Sequence, residues 1–113
     1  MAALTVTASA PTGAAFATSS AAGGGDTFVN NGKTLFYINN GGGSSINVTF
    51  TAQNDVTING QALAVEDLVV AVTNGTAKII GPFPTQIFNN SSGAVAVSYS
   101  GVTTVTVRPI SMP

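Results

Sequence analysis

Apolar and polar residues alternate along most of this chain with a period of two, and glycine, asparagine and proline interrupt the alternation at short intervals. Ile46, Val48, Phe50 and Ala52 alternate with Asn47, Thr49, Thr51 and Gln53, the pattern of a strand with one buried and one wet face. Leu4, Val6 and Ala8 alternate with threonines, and Leu68, Val70 and Val72 alternate with Val69, Ala71 and Thr73. Ala94 to Tyr99 and Thr103 to Ile110 are two further alternating strands around Ser100-Gly101. Leu35 to Ile38 is instead a continuous apolar run, as expected of a central strand covered on both faces. Val56 with Ile58, Leu63 to Val65, Ala77 to Ile80 and Ile87 with Phe88 read as shorter pieces. Helix competes for Gln61 to Val72, but β-branched residues dominate the second half of that stretch and a turn signal closes it, so strand is the better reading.

Four Asn-Gly pairs, at 31–32, 40–41, 59–60 and 74–75, punctuate these runs. A type I′ turn needs positive φ at both central residues, which Asn and Gly tolerate, so each pair predicts a strand-turn-strand hairpin. With no credible helix, the pattern predicts an all-β fold: an antiparallel β-sandwich or jelly roll of about eight short strands. The composition changes between Ser9 and Gly25, which are almost entirely Ala, Ser, Thr and Gly around Pro11 and Phe16. Side chains this small build no core of their own. Residues 1–24 are therefore expected to form an N-terminal strand and extended arm, mobile or laid across a neighbour, and residues 25–113 the β-sandwich domain.

Of 113 residues only seven are charged: Lys33, Lys78 and Arg108 against Asp26, Asp55, Glu66 and Asp67. A free domain usually carries about a quarter of its surface as charged side chains. A surface of Thr, Ser, Asn, Gln and Gly hydrogen-bonds readily and repels other proteins weakly, which suits permanent residence in an assembly. Three scattered cations cannot neutralise a run of phosphates, so nucleic acid is not an expected partner; each cation reads as a strand-edge gatekeeper or an intersubunit contact. No apolar run approaches the roughly twenty residues of a membrane-spanning helix, and Met1 to Ala10 lack the charged and continuous apolar regions of an export signal.

With no Cys and no His, disulfides, thiolate metal sites and the commonest acid-base and nucleophilic arrangements are excluded. Glu66 and Asp67 are adjacent and would point to opposite faces of a strand. No catalytic residue, cofactor or metal ligand is expected, and the chain reads as a non-enzyme. Calcium would need six to eight oxygens, and no loop concentrates acids for it. The glycosylation-type triplets at Asn47, Asn74, Asn89 and Asn90 are expected by chance in a chain so rich in Asn, Ser and Thr. Gly81-Pro82-Phe83-Pro84 loses two backbone donors and cannot lie inside a sheet. It reads as a rigid corner, with Phe83 either plugging the core or, with Pro84, anchoring a partner.

Three segments together carry a resemblance: Gly25 to Leu35 (GDTFVNNGKTL), Ile80 to Pro84 followed by Ile87-Phe88-Asn89, and Ala94 to Ser100 with Val105-Thr106-Val107. In order and spacing they resemble a family of small structural proteins of tailed bacteriophages, the head decoration or cement proteins, over residues 25 to 110. The resemblance implies a β-sandwich that binds the outer capsid surface of the virion and locks neighbouring major capsid proteins together, as a homotrimer. Contacts are expected through Val6, Phe16 and Phe28 of the arm and its root, with Phe83 and Pro84 as further candidates. A tail, baseplate or fibre component shares the low charge and strand content. A carbohydrate-binding module would instead show exposed aromatics on one sheet face, whereas the alternation assigns Phe36, Tyr37, Phe50 and Tyr99 to the core.

Overall fold

The computed structural model describes residues 2–8, 13 and 17–111. Strands Ala2–Ala3 (β1), Thr7–Ala8 (β2) and Ser19–Ser20 (β3) belong to the N-terminal segment. The body is built from Asp26–Val29 (β4), Thr34–Asn40 (β5), Ile46–Phe50 (β6), Val56–Ile58 (β7), Gln61–Leu63 (β8), Leu68–Val72 (β9), Thr76–Ile80 (β10), Ala94–Tyr99 (β11) and Val105–Ser111 (β12). One five-stranded sheet, sheet A, runs β1-β4-β11-β6-β9. The facing sheet B runs β10-β5-β12-β2, with β3 also on β12; β7 and β8 form a separate two-stranded sheet. The fold is an all-β sandwich.

Its winding follows from one long hairpin. β7 pairs with β8, β6 with β9, β5 with β10 and β4 with β11, all antiparallel and nested about the turn at Asn59-Gly60. Rolling such a double strand over itself sends successive pairs to alternate sheets, which is the jelly-roll arrangement. Asn59 and Gly60 have φ of 51° and 79°, as a type I′ turn demands.

The other three Asn-Gly pairs are not hairpin turns. Asn31-Gly32 joins β4 to β5, Asn40-Gly41 joins β5 to β6 and Asn74-Gly75 joins β9 to β10, and each connection crosses from one sheet to the other. Asn at these bends satisfies backbone groups that a corner leaves without a ladder. The Asn40 Nδ2 donates to the Ser44 and Val72 carbonyls (2.8 and 3.1 Å), and its Oδ1 accepts the Gly42 N–H (3.1 Å). The Gly75 N–H then bonds the Asn40 carbonyl (2.7 Å), tying the two bends of the double strand together. At the next bend the Asn30 Nδ2 donates to Asn89 Oδ1 (2.8 Å) and to the Phe83 carbonyl (3.0 Å), and the Asn89 Nδ2 returns a bond to the Asn30 carbonyl (2.9 Å).

The core between the sheets is a chain of phenylalanines. Phe28 stacks on Phe36 at 5.3 Å, Phe36 meets Phe50 edge-on at 5.4 Å, and Phe83 lies 5.6, 4.7 and 5.8 Å from Phe28, Phe50 and Phe88. Valines 48, 72, 95, 97, 105 and 107 pack around these rings together with Ala21, Ile38, Ile46 and Ile80. The absence of any helix is corrected by one turn at Thr85–Phe88 (α1), where Ile87 and Phe88 read as a strand from sequence. Pro84 opens it, and the turn delivers Phe88 to the ring of Phe83.

Strand β5 also departs from the sequence reading. Thr34, Phe36, Ile38 and Asn40 are buried while Leu35, Tyr37 and Asn39 are half-buried on the outer face, so it is a one-sided strand and Tyr37 is not in the core. The single N-terminal strand expected from Leu4 to Ala8 is divided. β1 adds in parallel to β4 on sheet A, and β2 adds in parallel to β12 on sheet B. β3 pairs antiparallel with β12 nearer its start. β1, β2 and β3 thus lie against the chain's own sheets, with Leu4 and Val6 packed on the core.

Candidate interaction surface

Of the five residues singled out from sequence as partner contacts, four lie among the described residues, and of these Phe28 and Phe83 meet each other in the core, their ring centroids 5.6 Å apart. Phe28 and Phe83 are each 1% exposed, so their rings belong to the interlocked phenylalanine core and offer nothing to a partner in this fold. Val6 is half-buried at the core rim, Pro84 is exposed beside α1, and Phe16 lies outside the described residues. For Phe83 the plug is the reading that the packing supports, and the reason is geometric: the corner after β10 aims the ring between three others.

Besides Asn30, Thr34 and Asn40, one charged side chain is drawn inside. Asp26 is fully buried, and its Oδ2 accepts the Tyr99 hydroxyl (2.7 Å) and the Ala22 N–H (3.2 Å). It thereby ties the end of the N-terminal segment to β11. Burial first, then the hydrogen bond to Asp26 and its negative charge, hold the Tyr99 phenol well above the usual tyrosine range. Among the described residues no group of three His, Cys, Asp or Glu is placed to hold a metal ion.

What remains outside is mostly neutral, with two features that sequence reasoning missed. The first is a cross-strand row on the outer face of sheet B. Ile79 of β10 stands opposite Tyr37 of β5, and Tyr37 opposite Arg108 of β12. The Arg108 Nε donates to the Thr7 Oγ1 of β2, and Leu35 lies opposite Ile110 in the adjoining row. An aromatic ring, an aliphatic surface and a guanidinium on one rigid sheet face are the residue types that dominate protein interfaces. The signal in the sequence was the odd-even split of Thr34 to Asn40, with Thr34 and Asn40 marking one face, obscured by the apolar run between them.

The second feature is the open side of the sandwich. β9 ends sheet A and β10 ends sheet B, and their exposed apolar residues include Leu68, Val69 and Ile79, with Ile58 on the β7–β8 hairpin. The Lys78 Nζ donates to the Ala71 carbonyl (2.8 Å), spanning from one edge strand to the other. At one corner a cleft of about 330 Å³ is lined by Asn40, Ser44, Ser45, Ser100 and Thr103, with glycine backbone and Ile46.

No protein-family model matches the sequence, and no curated protein or solved structure matches it either.

Proposed function

We propose that the chain is a structural protein of a tailed-phage virion that decorates the outer capsid surface and cements neighbouring major capsid proteins. The reading is supported above all by the exterior: a rigid jelly roll whose exposed surface is neutral and hydrogen-bonding, with apolar residues such as Val29, Val69 and Ile79 left in solvent. A freely diffusing domain of this kind would be poorly protected against association, whereas a lattice-bound one has its surface occupied. The resemblance of residues 25 to 110 to head decoration proteins points the same way.

The mechanism is differential binding. Capsid expansion creates repeated sites, and a subunit that binds only the expanded lattice adds its binding free energy to that state alone. Several copies held together make each further engagement effectively intramolecular, so weak contacts become collectively strong. The row Ile79, Tyr37 and Arg108 on sheet B is the face best equipped to meet the capsid protein. Purified chain mixed with expanded and unexpanded heads is expected to co-sediment with the expanded heads only. Equal binding to both, or to neither, overturns the reading.

A further inference from the structure

The rolled hairpin is incomplete on one side. Sheet A interleaves two nested pairs, β4 with β11 and β6 with β9. By the same alternation sheet B should interleave β5 and β10 with β7 and β8, placing β7 against β10. It does not: β10 is an edge strand and the β7–β8 hairpin stands as a sheet of its own. Its residues 57 to 62 are all exposed, Ile58 at 54%. A lone two-stranded hairpin is marginally stable in water, and an uncovered edge strand is a template for another strand.

The vacant edge has defined polarity. The Gly75 N–H bonds the Asn40 carbonyl on the β10 side (2.7 Å), and the Gly41 N–H bonds Thr104 on the β12 side (2.9 Å). Even-numbered residues of β5 therefore turn their backbone groups to β10, where Lys78 and Ile80 oppose Ile38 and Phe36. The backbone groups of Ala77 and Ile79 consequently face outward, beside an Ile79 side chain that is 62% exposed.

The chain's own hairpin is held away from that edge at its root. The Thr51 N–H bonds the Ala96 carbonyl (3.0 Å), the Gln53 and Asn54 N–H groups bond the Ile87 carbonyl (2.7 and 3.2 Å), and the Ala52 N–H bonds Asp67 Oδ1 (2.8 Å). These bonds fasten the root to α1 and sheet A. Charge favours a second copy as the occupant. Asp55, Glu66 and Asp67, three of the chain's four acids, flank the hairpin, while Lys78 occupies the middle of β10.

We infer that the β7–β8 hairpin of one copy adds to the β10 edge of the next, completing sheet B in trans with its acidic root beside Lys78. The two surfaces differ, so the contact is head-to-tail, and its repetition gives a ring where the rotation between copies closes and a filament where it does not. The inference needs no capsid and stands apart from the virion reading.

Light scattering on the purified full chain across a concentration series tests it. The expected result is a mass that rises with concentration from the protomer to multiples of it. Ile58→Asp, a change at a solvent-exposed position, is expected to weaken association at least about tenfold while leaving the melting of the separated protomer unchanged. Lys78→Glu is expected to weaken it as well, and the double variant Lys78→Glu with Asp55→Lys to recover it. A wild-type chain that stays monomeric at every concentration overturns the inference. So does an oligomer indifferent to Ile58→Asp, a double variant that fails to recover, or a monomer whose Ala77 and Ile79 amides are protected from hydrogen exchange, which would mean that the chain's own hairpin has folded onto β10.

Discussion

Phe83 meets three other rings, and this makes it the side chain whose loss the fold tolerates least. Phe83→Ala is expected to cost about 3–5 kcal/mol, the range for removing a buried aromatic and leaving a cavity; denaturant unfolding monitored by circular dichroism checks it. Against the roughly 5–15 kcal/mol that holds a domain together, such a loss brings the protein near its midpoint. Asn40 acts by hydrogen bonds rather than volume. Asn40→Ala leaves the buried Val72 carbonyl and the part-buried Gly42 N–H without their partner, and at about 1–3 kcal/mol for each such orphan a loss of roughly 2–6 kcal/mol is expected in the same measurement. Tyr99 gives the fold an alkaline limit. Its phenol stays protonated in the folded protein, where the unfolded chain ionises near pH 10. Above that pH the unfolded state binds fewer protons than the native one, so stability falls as pH rises. Melting temperatures measured from neutral to strongly alkaline pH should show this decline, and Tyr99→Phe should flatten it.

At the scale of elements, the strands were legible because a half-buried strand writes its two faces into alternate residues. β6 carries that alternation openly, and β7–β8 is announced by Asn59-Gly60. The bends were misread because Asn-Gly signals positive φ and local hydrogen bonding, not the destination of the next strand. A chain that turns to pair with itself and one that turns to cross to the opposite sheet use the same residues. Gly42 shows how tightly one such crossing is packed: a Cβ there would sit 2.7 Å from the Thr103 carbonyl oxygen, inside any tolerable contact. Gly42→Ala should therefore lower the melting temperature by several degrees, since each kcal/mol corresponds to about 4–8 °C in a domain of this size, whereas Gly43→Ala, with open space around it, should change it little. Helix α1 was invisible because a single turn has no periodicity to read. The candidate face on sheet B was equally hidden. Tyr37 sits in an apolar run, and only the register of β5 against β10 and β12 places it beside Ile79 and Arg108.

For the whole molecule, the scarcity of charge is the property that matters, since it leaves adhesion to be carried by shape, hydrogen bonds and exposed aliphatic surface. Binding to a capsid through such a surface should vary little with ionic strength, and co-sedimentation with expanded heads at low and high salt measures that. Tyr37→Ala should reduce the binding by about tenfold or more, as for a central aromatic contact, with melting of the free protein as the control for folding. On the proposed function, virions lacking the protein are expected to keep their shape and lose resistance to heat and osmotic shock, which particle counts before and after treatment would record.

From the sequence alone came the strand content, the positions of the turns, the scarcity of charge and the absence of His and Cys, because each is a property of composition or of neighbours along the chain. Tertiary structure decided which turns close hairpins and which cross between sheets, that Phe28 and Phe83 face inward while Tyr37 faces out, and that β10 and the β7–β8 hairpin stand apart. Those depend on pairings between residues far separated in sequence, such as Asn30 with Asn89 and Asp26 with Tyr99, and no local pattern encodes the partner of a strand that lies on the other side of the fold.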